Sequence, residues 1–154
     1  MTFKMGPETR QVEAMWDVST YNFKMDGTGI RLLTEGMKEK KLKGIRCGEC
    51  GMVYMPGPSY CRKCFVDIDE VVEVKDTGTV MSYCVTMADV RGNPIDEFRI
   101  SAMIQFDGAD SWFVGTVKGV DWQDFEVGMR VKAIWVDEPV GSLSDIDRFE
   151  VIVD

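Results

Sequence analysis

CGECGMVYMPGPSYCRKC, Cys47 to Cys64, sets two Cys-x-x-Cys pairs ten residues apart in a chain of 154 residues that contains no histidine. A thiolate is a preferred ligand of zinc, which takes four ligands tetrahedrally. Cys47, Cys50, Cys61 and Cys64 supply four thiolates from two turns. Gly51, directly after the first pair, permits the left-handed backbone that turns amide groups toward sulfur. Pro56, Gly57 and Pro58 make a stiff turn that brings the second pair back over the first. The spacing predicts a structural zinc site whose work is to staple a ribbon. A rubredoxin-type iron site uses the same ligands, but CRKCF lacks the Pro and Gly usual in such knuckles. A redox pair needs one Cys-x-x-Cys in a βαβ setting, and four thiolates leave no open position for a catalytic water.

The segment around the cysteines, residues 45–70, is too short and polar to hold a core unaided, since folds below ~40 residues usually need a metal, disulfides or a partner. Before it, residues 1–44 read as a helical arm. Pro7 opens a helix in PETRQVEAMWDV, with Val12, Met15 and Trp16 on one face. YNFKMDGTG breaks it. A second helix follows in IRLLTEGMKEKKLK, where Ile30, Leu33 and Met37 recur at helical spacing and Gly44 marks its stop. Trp16, Tyr21, Phe23 and Leu33 either pack on the protein's own ribbon or bury against a partner.

After the cysteines, residues 71–154 read as β. TVMSYCVTM, FRISAMIQF, SWFVGTVKG, MRVKAIWV and RFEVIV are five strand-like runs. Ile100, Ala102, Ile104 and Phe106 alternate with polar or outward residues, as a half-buried strand requires. Asp107-Gly108 marks a hairpin, and VDWQDFEVG is the place for a short helix between the third and fourth strands. The fold class is mainly β with N-terminal helices: a rubredoxin-like zinc ribbon followed by a five-stranded OB-type barrel. No apolar run approaches the ~20 residues that span a bilayer, the N-terminus has no secretory h-region, and paired thiols suit a reducing compartment. A cytoplasmic protein is expected.

Charge narrows the function. The net charge is −8. Residues 1–77 hold 12 Lys and Arg against 12 Asp and Glu, whereas residues 78–154 hold 6 against 14. A ribbon joined to an OB barrel raises nucleic-acid binding as an alternative function, but a strand-binding barrel needs a positive groove. This barrel carries the whole negative charge. The basic residues cluster instead near the knuckles: Lys38, Lys40, Lys41, Lys43 and Arg46 before them, Arg62 and Lys63 in the second. Such a patch is either a solvated helix end, with Lys favoured by the dipole, or a site for a small anion such as the adenosine phosphates of coenzyme A. Lys43, Arg46, Arg62 and Lys63 are the candidate contacts. Cys84 reads as a small buried residue on the face of Val80 and Ser82. A nucleophilic cysteine wants a base beside it, and no Cys-His pair exists in a chain without histidine.

LLTEGMKEKKLKGIRCGECGMVYMPGPSYCRKC, GTVMSYCVTM and WFVGTVKGVDWQDFEVGMRVKAIWVDEP, in this order, resemble the acyl-CoA-associated zinc-ribbon/OB-fold proteins, long catalogued as a domain of unknown function. The resemblance runs from about Ile30 to Pro139. MPGP stands where that family tends to a Pro-Pro-Arg-like turn and CRKC where it usually has Cys-Pro-x-Cys; neither change removes a ligand. The resemblance implies a non-catalytic subunit that docks on a thiolase-superfamily chain in a hetero-oligomer and helps enclose the acyl-CoA channel, with the nucleophile and the acid/base supplied by the partner.

Overall fold

A computed structural model describes residues 28–89 and 91–152. The helix expected near Pro7, with Trp16, Tyr21 and Phe23, lies outside the described residues. The first described element is α1, Thr28–Lys38, which buries Leu33 and Met37 completely. These two side chains stand four residues apart and so share one face.

The helix does not continue to Lys43 as its lysine-rich sequence leads one to expect. Lys40 adopts a left-handed φ of 55°, and the N–H groups of Lys40 and Lys41 bond to the carbonyls of Met37 and Gly36, each at 2.9 Å. That pair of bonds closes a helix C-terminus with a lysine where glycine is usual. Leu42–Arg46 then forms β1, the central strand of a three-stranded sheet in the order β2-β1-β3, with β2 at Val53–Tyr54 and β3 at Glu70–Val74. Five registered pairs with β3 outweigh local helix propensity. Gly44, expected as the helix stop, lies inside β1, where a Cβ would come within 2.9 Å of the Tyr54 carbonyl oxygen.

The remaining strands close a barrel in the order β4-β5-β6-β8-β7. They are β4 (Thr77–Ala88), β5 (Pro94–Phe106), β6 (Trp112–Val117), β7 (Arg130–Trp135) and β8 (Ile146–Val151). Neighbours are antiparallel except β6 and β8, which meet in parallel at Val117 and Phe149. This is the five-stranded OB-type barrel that the strand runs predict. Ile100, Ala102, Ile104 and Phe106 point inward and are buried, and the rings of Phe106, Phe113 and Phe149 meet at centroid distances of 5.7 to 6.3 Å.

Two local expectations fail for identifiable reasons. Cys84 is exposed, not buried. A register shift between Val80 and Ser82 inserts a bulge in β4, and one extra residue exchanges the two faces. Val80 points inward, then Tyr83 and Val85 pack on the core, which sends Cys84 out. Residues 120–128 form turns in place of the expected helix. Asp121 accepts the N–H of Gln123 at 3.0 Å through its own side chain, the type of local bond that competes with helix formation. The loop still closes that end of the barrel, because Phe125 is buried and meets Tyr83 edge-on at 4.9 Å.

Ribbon and barrel share one core. Leu33, Met37, Leu42, Val53, Met55 and Val74 belong to the same apolar cluster as the barrel interior. The loop after β5 also bonds to the edge of the ribbon. Val53 N–H donates to Asp110 Oδ2 and Asp110 N–H donates to the Val53 carbonyl, both at 2.8 Å. Met55 N–H donates to Ser111 Oγ at 2.6 Å, and that hydroxyl donates to the Met55 carbonyl at 2.9 Å. At the start of the same loop Asp107 accepts from Thr77 Oγ1 at 2.5 Å and is clasped by the Arg130 guanidinium. Buried Asp145 accepts N–H bonds from Val140, Gly141 and Ser142 and so folds the loop before β8 around the 3₁₀ turn Leu143–Asp145, which lies beside α1. No helix among the described residues is long and apolar enough to cross a membrane.

Replacing Asp110 by alanine leaves the Val53 N–H without its side-chain acceptor. A loss of about 1–3 kcal/mol of unfolding free energy is expected in denaturant titration. Acid should act through Asp107, whose carboxyl Arg130 holds down to about 2. A carboxyl with a depressed pKa stabilises the fold above its unfolded value of ~3.9, and that contribution disappears as pH falls from about 5 to 2. Because Arg130 and Asp107 are 41% and 32% exposed, Asp107→Asn should cost only ~1 kcal/mol at neutral pH. It should also flatten the acid limb of the stability profile.

Candidate metal centre

Two equivalent knuckles carry the thiols. In the first, Gly51 N–H bonds to the Cys47 carbonyl and Cys47 N–H to the Met52 carbonyl, each at 2.8 Å. In the second, Phe65 N–H bonds to the Cys61 carbonyl and Cys61 N–H to the Val66 carbonyl, again at 2.8 Å. Both turns require a left-handed residue after the second cysteine: Gly51 has φ 76° and Phe65 has φ 59°. The second knuckle thus reaches the same shape without glycine, and its phenylalanine is 80% exposed.

The four Sγ atoms lie within 4.8 Å of one another. Cys50 Sγ and Cys61 Sγ are 3.7 Å apart, which matches the ~3.8 Å edge of a sulfur tetrahedron with metal–sulfur distances near 2.3 Å. Cys47 and Cys61 are fully buried among Ile45, Tyr54 and Ile68, while Cys50 and Cys64 reach the surface in part. The donor set fits one tetrahedral cation such as zinc. Bound there, the cation would join the two knuckles.

The thiols also fit a cation electrostatically. The Tyr54 hydroxyl bonds to Cys61 Sγ at 3.4 Å and holds that thiol down to about 6. Hydrogen bonding to Cys50, with burial added, pushes Cys64 up to about 12. Cys47 also lies above its ordinary value, because burial and the neighbouring thiols outweigh the Cys50 N–H that favours its thiolate. At neutral pH the cluster therefore keeps protons that a metal must displace. Tyr54 gave no signal in the sequence, since its partner Cys61 comes seven residues later on the other knuckle.

The four candidate coenzyme A contacts differ in their surroundings. Lys43 lies 4.0 Å from Glu39, and Arg46 lies 3.2 Å from Glu70. Strand alternation also places Lys43 and Arg46 on opposite faces of β1. Arg62 and Lys63 are exposed on the second knuckle, with no ion pair among the described residues.

A four-thiolate ribbon on an OB barrel is the class that fold and site define. Residues 71–136 match the family model described as ChsH2, C-terminal OB-fold domain. The whole architecture is similar to the crystal structure of a DUF35-family protein of unknown function from Sulfolobus solfataricus. The two chains share 28% identity over 83% of this chain and 87% of that one, with a TM-score of 0.65. A structure described as the Ltp2-ChsH2(DUF35) aldolase is 24% identical over 79% of this chain and 93% of that one, with a TM-score of 0.57. It shares the fold. No curated protein matches the chain.

Purified protein is expected to contain one zinc per chain by elemental analysis. Cys47→Ser or Cys61→Ser should abolish both metal content and the folded ribbon, since structural zinc contributes roughly 10–16 kcal/mol of apparent binding free energy. Metal loading should strengthen as pH rises, because Cys47 and Cys64 must lose protons to bind. It should weaken most steeply below about pH 6, where Cys61 takes up a proton as well. Competition with a chromogenic chelator across that range measures the slope.

Proposed function

We propose that this chain is a non-catalytic, metal-binding subunit of a heteromeric acyl-CoA thiolase, docking on the thiolase chain and helping to enclose the coenzyme A channel. The observation that carries the reading is the order of ribbon and barrel in a chain without histidine. The barrel matches a ChsH2 domain, and a DUF35 chain of similar fold is part of the Ltp2-ChsH2 aldolase. A closed four-thiolate site offers no position for substrate, so the reaction belongs to the partner. Within the thiolase accessory subunits, the long arm and acidic barrel most resemble the small subunit of benzoylsuccinyl-CoA thiolase of anaerobic toluene degradation. On that resemblance the assembled enzyme catalyses thiolysis: the C–C bond of benzoylsuccinyl-CoA breaks, a free coenzyme A takes the benzoyl group as benzoyl-CoA, and the remainder leaves, protonated, as succinyl-CoA.

The surface has room for such a partner. A groove of about 430 Å³ runs between Pro56 of the ribbon and Trp112, Val114, Leu143 and Phe149 of the barrel. Trp112, Val114 and Leu143 are each more than half exposed. Apolar side chains gathered at a ribbon–barrel joint suit a protein interface better than a phosphate site. For the phosphates of coenzyme A, Arg62 and Lys63 are the better placed of the four basic candidates, because Lys43 and Arg46 already have carboxylate partners.

Co-expression with a thiolase-superfamily chain from the same source is the direct test. The two should co-purify, and thiolysis should require both. Arg62→Glu combined with Lys63→Glu should raise the Michaelis constant for coenzyme A several-fold in the complex, with a difference that shrinks in high salt. Wild-type coenzyme A kinetics in that variant, together with tight oligonucleotide binding by the wild type, would replace this reading with a nucleic-acid-binding module.

A further inference from the structure

The side of the thiol cluster away from solvent is closed by Tyr54, which faces Ile45 across β1 and β2. It is 6% exposed and packs with Ile45, Ile68 and the fully buried Cys47 and Cys61. A phenylalanine would fill the same volume in this apolar setting, so the hydroxyl needs a separate account. Its oxygen lies 3.4 Å from Cys61 Sγ and 3.7 Å from Met52 Sδ. The backbone N–H of Arg62 also faces this oxygen as a donor, so the hydroxyl's own proton is left for one of the two sulfurs. A thioether is a weak acceptor, whereas a thiolate is a charged one. The O–H therefore favours Cys61 whenever that sulfur is ionised.

Four thiolates on a divalent cation leave two negative charges in excess. At Cys50 and Cys64 water can share that charge, because both are partly exposed. Cys61 is fully buried, and its backbone donors, the N–H of Cys64 at 3.4 Å and that of Lys63, both come from its own knuckle. The geometry points to Tyr54 as a positioning residue of the metal centre: its hydroxyl donates to Cys61 Sγ, orients that ligand and disperses charge on the side that water does not reach. Second-sphere donors of this kind hold ligand orientation and tune the metal. The inference rests on the knuckle pair being a metal centre.

The experiment uses the full chain. About one equivalent of metal in the wild type establishes the centre. Tyr54→Phe should then keep its far-ultraviolet circular dichroism but surrender zinc to a chelator at roughly tenfold lower concentration. In the cobalt-loaded variant the sulfur-to-metal charge-transfer bands should move to lower energy, because a thiolate that accepts one fewer hydrogen bond is more electron-rich. Ile68→Val, which trims the same cluster without touching a hydroxyl, should leave the bands in place. Zinc retention within about twofold of wild type and unmoved cobalt bands in Tyr54→Phe would overturn the proposal. A wild type without metal would overturn the centre itself. If Tyr54→Phe does not fold, NMR of the wild type loaded with NMR-active cadmium decides. The expected result is a Tyr54 hydroxyl proton protected from exchange and scalar-coupled to the metal; a hydroxyl in free exchange with water and without coupling would reject the inference.

Discussion

The exchange of hydrogen bonds between Val53–Met55 and Asp110–Ser111 fixes how the two halves of this molecule meet. β2 is only two residues long, too short to be stable as an isolated sheet edge. One side of it pairs with β1. The other is satisfied by a carboxylate, a hydroxyl and a carbonyl–amide contact from the loop after β5. Alternate side chains then divide the labour. Val53 and Met55 enter the core shared with the barrel, while Tyr54 enters the thiol cluster. Neither the angle of the ribbon nor the closure over the cysteines is independent of that edge.

The thiol cluster is the second constraint, and it is local. Each knuckle spends its backbone donors on its own turn, and a left-handed residue closes each one. Four thiols gathered this closely resist full ionisation, as the opposed behaviour of Cys61 and Cys64 shows. A bound cation removes that conflict, which is the physical sense in which the ribbon and its metal would be one unit.

The proposed accessory role draws on composition as well as on the site. The chain has no histidine, and its acidic half is the barrel, with 6 basic residues against 14 acidic ones in residues 78–154. Exposed Trp112, Val114 and Leu143 line a groove beside Pro56 of the ribbon. An accessory role beside an acyl-CoA enzyme accommodates all of these. A strand-binding role would have to work against the charge of this barrel.

Ligand spacing, strand alternation and charge are properties of short stretches, so the sequence by itself determined the four-cysteine pattern, the inward set Ile100, Ala102, Ile104 and Phe106, and the acidic barrel. The five strand runs lie in β4 to β8 for the same reason. What depended on distant pairing was out of its reach. The end of α1 was decided by recruitment of Leu42–Arg46 into a sheet with β3. Cys84 was turned outward by one bulge against β5, and Phe125, carried on a loop where a helix was expected, found its ring partner Tyr83 across the barrel end. Within the basic patch, Lys43 and Arg46 were separated by strand pleat and paired with Glu39 and Glu70. Tyr54 acquired its sulfur partner only when the second knuckle folded over the first. A side chain's facing and its partners are set by register, and register is a property of two strands rather than one.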